Sequence, residues 1–478
     1  MSAYLVAILM YMTLVIGFGL YVSKKKVKTS DDFSVAGRRL PMIVLVGTLL
    51  ATWCGAGGIT GSANFTYNQG PWTGFLYFSG APLGILLLYF IAGQVRKLSA
   101  YTIPEILARR YGDFAGCLAT LCIFLAYVGI ISYQFLAAGN IINIVTGMDL
   151  NTATLLCALI IIILTVTGGM ISVAYTDALS AFIMVGSFLI AVPLLFAPLG
   201  GIAEAFKNLP AGKNTLGGSL TPAQTLSYLL PIIFLMLGDQ NMIQRFSAAK
   251  DSNEAKKSNI GMFIGEVVVV ILIVLIVTAG IFLLPDLKRA DSVIFLLAVQ
   301  KLPLWAGLGV IVGSMAFVVT TADSYLLSSA SNLTYDVWFK YVRKSGGDRE
   351  KLVFLRILIV IIGAAGYVLG RYFPDILSIQ MYSYTMYGAA ITPALLCALF
   401  YRKATKIGGV AGILAGAAVT MIWETVLHKP FGLVSALISV PVAFLVILLV
   451  SNLTQHMEKV DLDSMYLAAE QSSAGGRK

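Results

Sequence analysis

Apolar runs of about 20 residues recur along the chain, each long enough to cross the ~30 Å hydrocarbon core of a bilayer as a helix. Read against Gly, Pro and charge punctuation, the spans fall near 3–22, 41–66, 72–94, 115–146, 152–170, 174–198, 224–246, 259–284, 304–338, 351–371, 375–401, 407–427 and 431–451. This thirteen-span pattern predicts an all-α polytopic membrane protein. Of its 478 residues, 58% are hydrophobic and only 12% charged, against about 25% charged in soluble domains. An ordinary soluble fold is therefore excluded.

The formal charge of +10 would suit a nucleic-acid partner, but its placement argues otherwise. Alternate loops hold 25 of the 33 basic residues, including Lys24–Lys26, Arg109, Arg110, Lys256, Lys257, Arg402 and Lys403. That asymmetry is a topology signal, which predicts the N-terminus outside, the C-terminus in the cytoplasm and a plasma-membrane location. Attraction to anionic lipid is a modest extra. From this charge pattern the expected partner is the lipid bilayer, with no nucleic acid and no evident obligate protein partner. Neither a cleavable signal nor a Cys- or His-based metal site is expected, since MSAY is a bare start and all five cysteines lie in apolar runs. The polar tail after Ser451 reads as disorder.

Two spans are interrupted. In TLLATWCGAGGITGSANFTY, Thr48 to Tyr67, four glycines and small hydroxyl residues break an apolar helix near its middle. Freed backbone groups survive at that depth only inside protein or around a bound ligand. Close packing is the other reading, because Gly57 and Gly61 also form a GxxxG contact face. LMLGDQNMIQRF turns polar just as abruptly at Gly238. Counted from the first break, these are the first and sixth core helices, the paired positions of a five-plus-five inverted repeat whose ligands bind where the two breaks meet. The expected organisation is a leading helix and loop (1–40), a first repeat (41–198), an outer loop (199–223), a second repeat (224–401), two trailing helices (402–452) and a tail (453–478). Outer loops at 199–221 and 285–304 are longer than connection requires. SVIFLLAVQ in the second reads as a short amphipathic helix, either a vestibule cover or decoration.

Four acids fall within spans, Asp177, Asp239, Glu266 and Asp323, where an ionised carboxylate needs a partner, water or a cation. Arg356 is the only basic side chain read as their partner. Asp336 and Glu424 lie near segment ends, where snorkelling suffices. Asp323 sits beside a stripe of hydroxyls at Thr320, Thr321, Ser324, Ser328 and Ser331, spaced by threes and fours. Hydroxyls with a carboxylate would suit a hard cation such as Na+. An interhelical Ser/Thr zipper fits the same spacing.

The motifs DDFSVAGRRLP, SVAYTDALSAF, DQNMIQRFSAAKDSNEAKK and TTADSYLLSSASNLTYDVW, in order across thirteen spans, resemble the sodium:solute symporter family. The resemblance implies a LeuT-like fold with discontinuous first and sixth core helices, and sodium-coupled solute uptake by alternating access. It implies a sodium site made by the backbone oxygens of Ala51, Cys54 and Phe317 with the hydroxyls of Thr320 and Thr321. It implies a second sodium site, found in some members, at Asp177, Thr320, Asp323 and Ser324. It places solute contacts at Trp53, Gly58, Asp239, Gln240 and Glu266. ATWCGAGGITG and SVAYTD are most similar to the choline-transporter branch, and Trp53 matches one aromatic of its cation cage, while Ile130 and Asp239 stand where other cage aromatics would be.

An indole beside two acids would attract an ammonium group, giving an amine or amino-acid-like solute. In the competing reading Glu266 is protonated or paired with Arg356, Asp239 caps the resumed half-helix, and the solute is a carboxylate or sugar. A channel uses similar features. No enzyme is expected: GAGGITG lies inside a span with no βαβ context.

Overall fold

The computed structural model describes residues 2–26, 36–98, 100, 102–167, 170–343, 347–373 and 375–457. Residues 31–35 of DDFSVAGRRLP and the tail from 458 on, with its expected disorder, lie outside the described residues, while 452–457, expected as tail, are helical. Among those described, 12 helices are long and apolar enough to span, and a bent pair makes a thirteenth. The leading helix is α1 (Ala3–Val22); the bent pair is α2 (Met42–Trp53) and α3 (Gly57–Gln69), inclined at 51°. Then follow α4 (Pro71–Val95), the short α5 (Ile103–Tyr111), α6 (Asp113–Thr146), α7 (Leu150–Thr167) and α8 (Met170–Leu199).

The sixth core helix is split into α9 (Pro222–Gly238) and α10 (Gln240–Ser247). Beyond it come α11 (Ser252–Leu283), α12 (Val293–Gln300), α13 (Leu304–Val342), α14 (Arg349–Tyr372), α15 (Ile376–Phe400) and the trailing α16 (Lys406–Val426) and α17 (Ala436–Thr454). Every expected span has its helix. The largest shift in a boundary is at α11, which starts at Ser252 because the Asp251 carboxylate caps the N–H groups of Asn253 and Glu254, both at 2.9 Å. That cap starts the helix in polar sequence, ahead of the apolar run. The last span starts late because Pro430–Gly432 forms a tight turn, with Lys429 and Phe431 at φ of 57° and 59°.

Small residues set the helix approach around the first break. A Cβ on Gly47 would fall 2.6 Å from the Ala178 Cα, and one on Gly313 would fall 2.9 Å from the Met184 Cα. Glycine lets α8 lie directly against α2 and α13, the close packing that drives association in lipid. The three helices that carry the candidate sodium residues are thereby held together.

Both long loops fold onto the half-helix α3. Lys213 donates to the Tyr67 carbonyl at 2.7 Å and lies over its ring, and Asn64 donates to Asp291 at 2.6 Å. Burial pushes the Asp291 carboxyl upward, partly opposed by the Asn64 hydrogen bond. The SVIFLLAVQ segment is helical but not amphipathic: Val293, Ile294, Phe295, Leu297 and Ala298 are all buried. It is a packed plug against α11, where Val293 sits over Gly280.

Candidate functional site

The first break is built by glycine and satisfied by side chains from other helices. After Trp53 the chain bends at Cys54 and Gly55, then resumes through a π-helical turn over Gly57–Gly61. The freed N–H of Ala56 donates to Gln134 of α6 at 2.8 Å. The Ala51 carbonyl, which has lost its helical donor, accepts from the Thr321 hydroxyl of α13 at 3.0 Å. Gly55 is required sterically, because a Cβ there would lie 2.5 Å from Thr321 Oγ1 and 2.7 Å from Gln134 Nε2. One turn away Thr320 donates to the Phe317 carbonyl at 3.2 Å. Of the five residues expected at the first sodium site, Ala51 and Thr321 meet across the α2–α13 contact, Thr320 bonds the Phe317 carbonyl within α13, and Cys54 follows Trp53 at the bend; their oxygens are carbonyls and hydroxyls. Such oxygens suit a hard monovalent cation.

Next to this contact, a small cavity of about 20 Å³ is walled by Trp53, Cys54, Gly58, Glu266, Gln380 and Tyr384, with Ser62 and apolar side chains completing it. The Glu266 carboxylate accepts from Trp53 Nε1 at 3.2 Å and from the Cys54 thiol at 2.8 Å. Trp53 stacks with Tyr384 at 6.1 Å between centroids. Gln380 Oε1 has no hydrogen-bond partner. No basic side chain is among the lining residues. Arg356, the expected partner of Glu266, is exposed on α14 and makes no such pair.

Asp239 and Gln240 do not line this cavity. Asp239 is the hinge of the sixth helix, with extended backbone (φ −65°, ψ 120°), and its side chain caps the N–H of Asn241 at 2.9 Å. Its carboxylate also accepts from Tyr127 at 2.6 Å and Tyr325 at 2.7 Å. The Gln240 side chain instead accepts from the N–H of Ile103 at 2.6 Å, tying α10 to the start of α5. Both residues thus fix the start of α10 against α5, α6 and α13.

The hydroxyl stripe divides between two jobs. Thr320 and Thr321 face the first break, whereas Ser324, Tyr325 and Ser328 hold α10. Ser328 donates to Asn241 at 2.5 Å and is 2.9 Å from Gln244. Arg245 is buried and forms an ion pair with Asp177 at 3.2 Å, which corrects the expectation that Arg356 is the basic partner inside the spans. Asp177 also accepts from Thr48 at 2.6 Å and Thr52 at 3.4 Å. Asp323 lies on α13 with Oδ1 unpartnered. Sequence reading missed Arg245, Gln134, Gln380 and Tyr384; only the position of Arg245 within the span 224–246 gave a signal.

Removing both phenol donors tests how firmly α10 is held. Tyr127→Phe with Tyr325→Phe keeps the rings but deletes two hydrogen bonds to the Asp239 carboxylate, each worth roughly 1.5–3 kcal/mol. In that background a cysteine introduced by Ser247→Cys, buried in α10, is expected to react about tenfold faster with a polar thiol reagent. An unchanged rate would show that these bonds do not hold α10 in place.

The same arrangement has relatives. A sequence model of the sodium:solute symporter family matches residues 33–416. The chain belongs to the sodium:solute symporter family. It is 26% identical to the high affinity choline transporter 1 of Homo sapiens over 441 residues, covering 86% of this chain and 75% of that one. It is 24% identical to the sodium/pantothenate symporter of Haemophilus influenzae over 465 residues, covering 92% and 94%. The structure of a Na+-coupled sialic acid symporter in a substrate-bound, outward-open state superposes with a TM-score of 0.82 at 20% identity, covering 96% and 98%. This sodium:solute symporter therefore has the LeuT-like fold with a discontinuous first and sixth core helix, and it is a sodium-coupled transporter of a small organic solute. The family is not an enzyme class.

Proposed function

We propose that this symporter takes up a small organic cation, an amine or amino-acid-like solute whose ammonium group sits against Glu266 and the faces of Trp53 and Tyr384. One observation carries the reading: Glu266 is an acid on the cavity wall with two hydrogen-bond donors but no basic partner. A buried carboxylate of this kind is stabilised by a cation delivered with the solute. Stacked aromatic faces add a cation–π term of up to about 2 kcal/mol when desolvated. Gln380 Oε1 offers a second acceptor to an N–H or O–H of the same solute. A carboxylate finds less here, since the one charged group on the wall is itself an acid. At about 20 Å³ the cavity is closed down to roughly the room of one water, far below the roughly 300–1,000 Å³ typical of ligand sites, so the solute enters a conformation in which these walls have moved apart.

In this reading sodium binds the carbonyls of Ala51, Cys54 and Phe317 and the hydroxyls of Thr320 and Thr321. It enters from outside, joins α2 to α13, orders the break that presents Trp53, and leaves into a low-sodium cytoplasm. The basic end of the bundle is the cytoplasmic one, the N-terminus is outside, and the protein resides in the plasma membrane. Residues 41–198 and 224–401 form the two inverted repeats, flanked by the leading helix, the outer loop 199–223 and the two trailing helices.

The test is a current screen on proteoliposomes with amines, amino acids, monocarboxylates and sugars under a sodium gradient. Saturable, sodium-dependent inward current with ammonium-bearing solutes is the expected result. Currents confined to anionic or neutral solutes would reject the acidic-pocket reading. Accumulation against a gradient separates a carrier from a channel, because a channel cannot accumulate.

A further inference from the structure

The geometry points to a lipid site in the wall of the bundle: an acyl chain of a membrane phospholipid inserts sideways between the leading helix α1 and α7, from the leaflet at the N-terminal end of α1, and packs against α13.

A cavity of about 140 Å³ lies among α1, α6, α7 and α13. Its walls are apolar, with Ile8 and Met12 from α1, Cys157 and Ile161 from α7, and Met315 and Val319 from α13. Thr146, the one hydroxyl at its edge, donates to the Ile142 carbonyl of its own helix at 2.6 Å. An ordered water needs about two to four polar partners, so this space stays dry. Left empty, its walls forfeit the dispersion contacts of close packing. An apolar cavity of about 150 Å³ takes up a molecule the size of benzene. A flexible chain enters such a space a few methylenes at a time, whereas the four fused rings of a sterol need several times the volume. Methionine side chains, unbranched and polarizable, let the walls follow a chain of varying conformation.

Access is from the side. The leading helix packs on α8 and α13 and scarcely touches α7. Leu9 of α1 and Leu156 of α7, which flank the gap, are each 42% exposed. Each lies within a membrane-spanning segment, about 9 Å from the start of its helix at a rise of about 1.5 Å per residue. The medium at that depth is acyl chain, beneath the headgroups. Met315 and Val319 close the inner end of the cavity, on the turns of α13 that also carry Phe317 and Thr320. The chain thus fills the back of the helix whose other face meets the Ala51 carbonyl through Thr321.

The test is photolabelling of the purified full-length protein in phosphatidylcholine vesicles, with a trace of a phosphatidylcholine that bears a diazirine near the middle of one acyl chain. Adducts are mapped by mass spectrometry of peptides. Met315 and Val319 are only 1% and 5% exposed, so lipid that merely coats the bundle does not reach them, while the exposed Leu14 and Ile163 report that coat. Adducts on the 315–319 segment comparable with those on Leu14 and Ile163 are the expected result. Cys157→Phe places a ring in the cavity and is expected to lower the 315–319 adducts about tenfold, leaving Leu14 and Ile163 unchanged. Adducts confined to exposed positions overturn the assignment, as does 315–319 labelling that Cys157→Phe does not diminish. A diazirine-bearing sterol that labels 315–319 as strongly as the phospholipid overturns the choice of an acyl chain. If Cys157→Phe fails to fold, the wild-type map with the two probes decides alone.

Discussion

Glu266→Gln is expected to raise the half-saturating concentration of an ammonium-bearing solute by about a hundredfold or more. Gln keeps the shape of the side chain and can still accept from one of Trp53 and Cys54, so the cavity wall at Trp53 and Cys54 is retained. What is lost is the charge. Truncating one side of a buried, hydrogen-bonded charge pair typically costs about 2–5 kcal/mol, and every 1.4 kcal/mol is tenfold in affinity. The measurement is solute concentration dependence of sodium-driven uptake, with the amount of protein in the membrane quantified separately. An unchanged half-saturating concentration would remove Glu266 from the recognition of the solute. For a solute lacking any cationic group, the same substitution should weaken transport little, which makes the pair of solutes an internal control.

The second large effect concerns the coupling ion. Thr321→Val is nearly isosteric but deletes the hydroxyl that meets the Ala51 carbonyl at 3.0 Å. The sodium concentration giving half-maximal uptake is expected to rise at least tenfold, about 1.4 kcal/mol, while Thr321→Ser, which keeps the oxygen, should stay within a few-fold of the wild type. Titration with sodium at constant ionic strength, replacing it with potassium, distinguishes loss of ion binding from a salt effect. A wild-type sodium curve for Thr321→Val would mean that this oxygen does not serve the ion. The driving force itself is unaltered by the variant, since each sodium contributes about 2.3 kcal/mol per 100 mV of membrane potential whatever residue binds it.

These variants separate two parts of one helix that are continuous in sequence. Thr320 and Thr321 lie on the same stripe of α13 as Ser324 and Ser328, and spacing alone assigns all four to one surface. The fold gives Thr321 to the Ala51 carbonyl at the break in α2, and Ser324 and Ser328 to α10, with Ser324 also 3.3 Å from Thr52 of α2. The zipper reading of that stripe matches these interhelical bonds, and the ion site is proposed for the Thr320–Thr321 end. Asp239 shows the same limit in another way. Its position beside Gly238 located the sixth-helix break correctly, yet its carboxylate is engaged by Tyr127, Tyr325 and the N–H of Asn241 and does not line the Glu266 cavity.

The sequence by itself determined that the chain spans a membrane, where its helices run and where two of them break. Those properties follow from the local cost of placing polar groups in hydrocarbon, which any stretch of about 20 residues displays without reference to its neighbours. It also marked the acids that require a partner. Only the tertiary structure decided which partner each one has: Arg245 for Asp177, the indole and thiol for Glu266, the phenols for Asp239. A buried charge requires compensation, but which side chain supplies it depends on which helix faces meet, and residues 177 and 245 are brought within 3.2 Å only by packing.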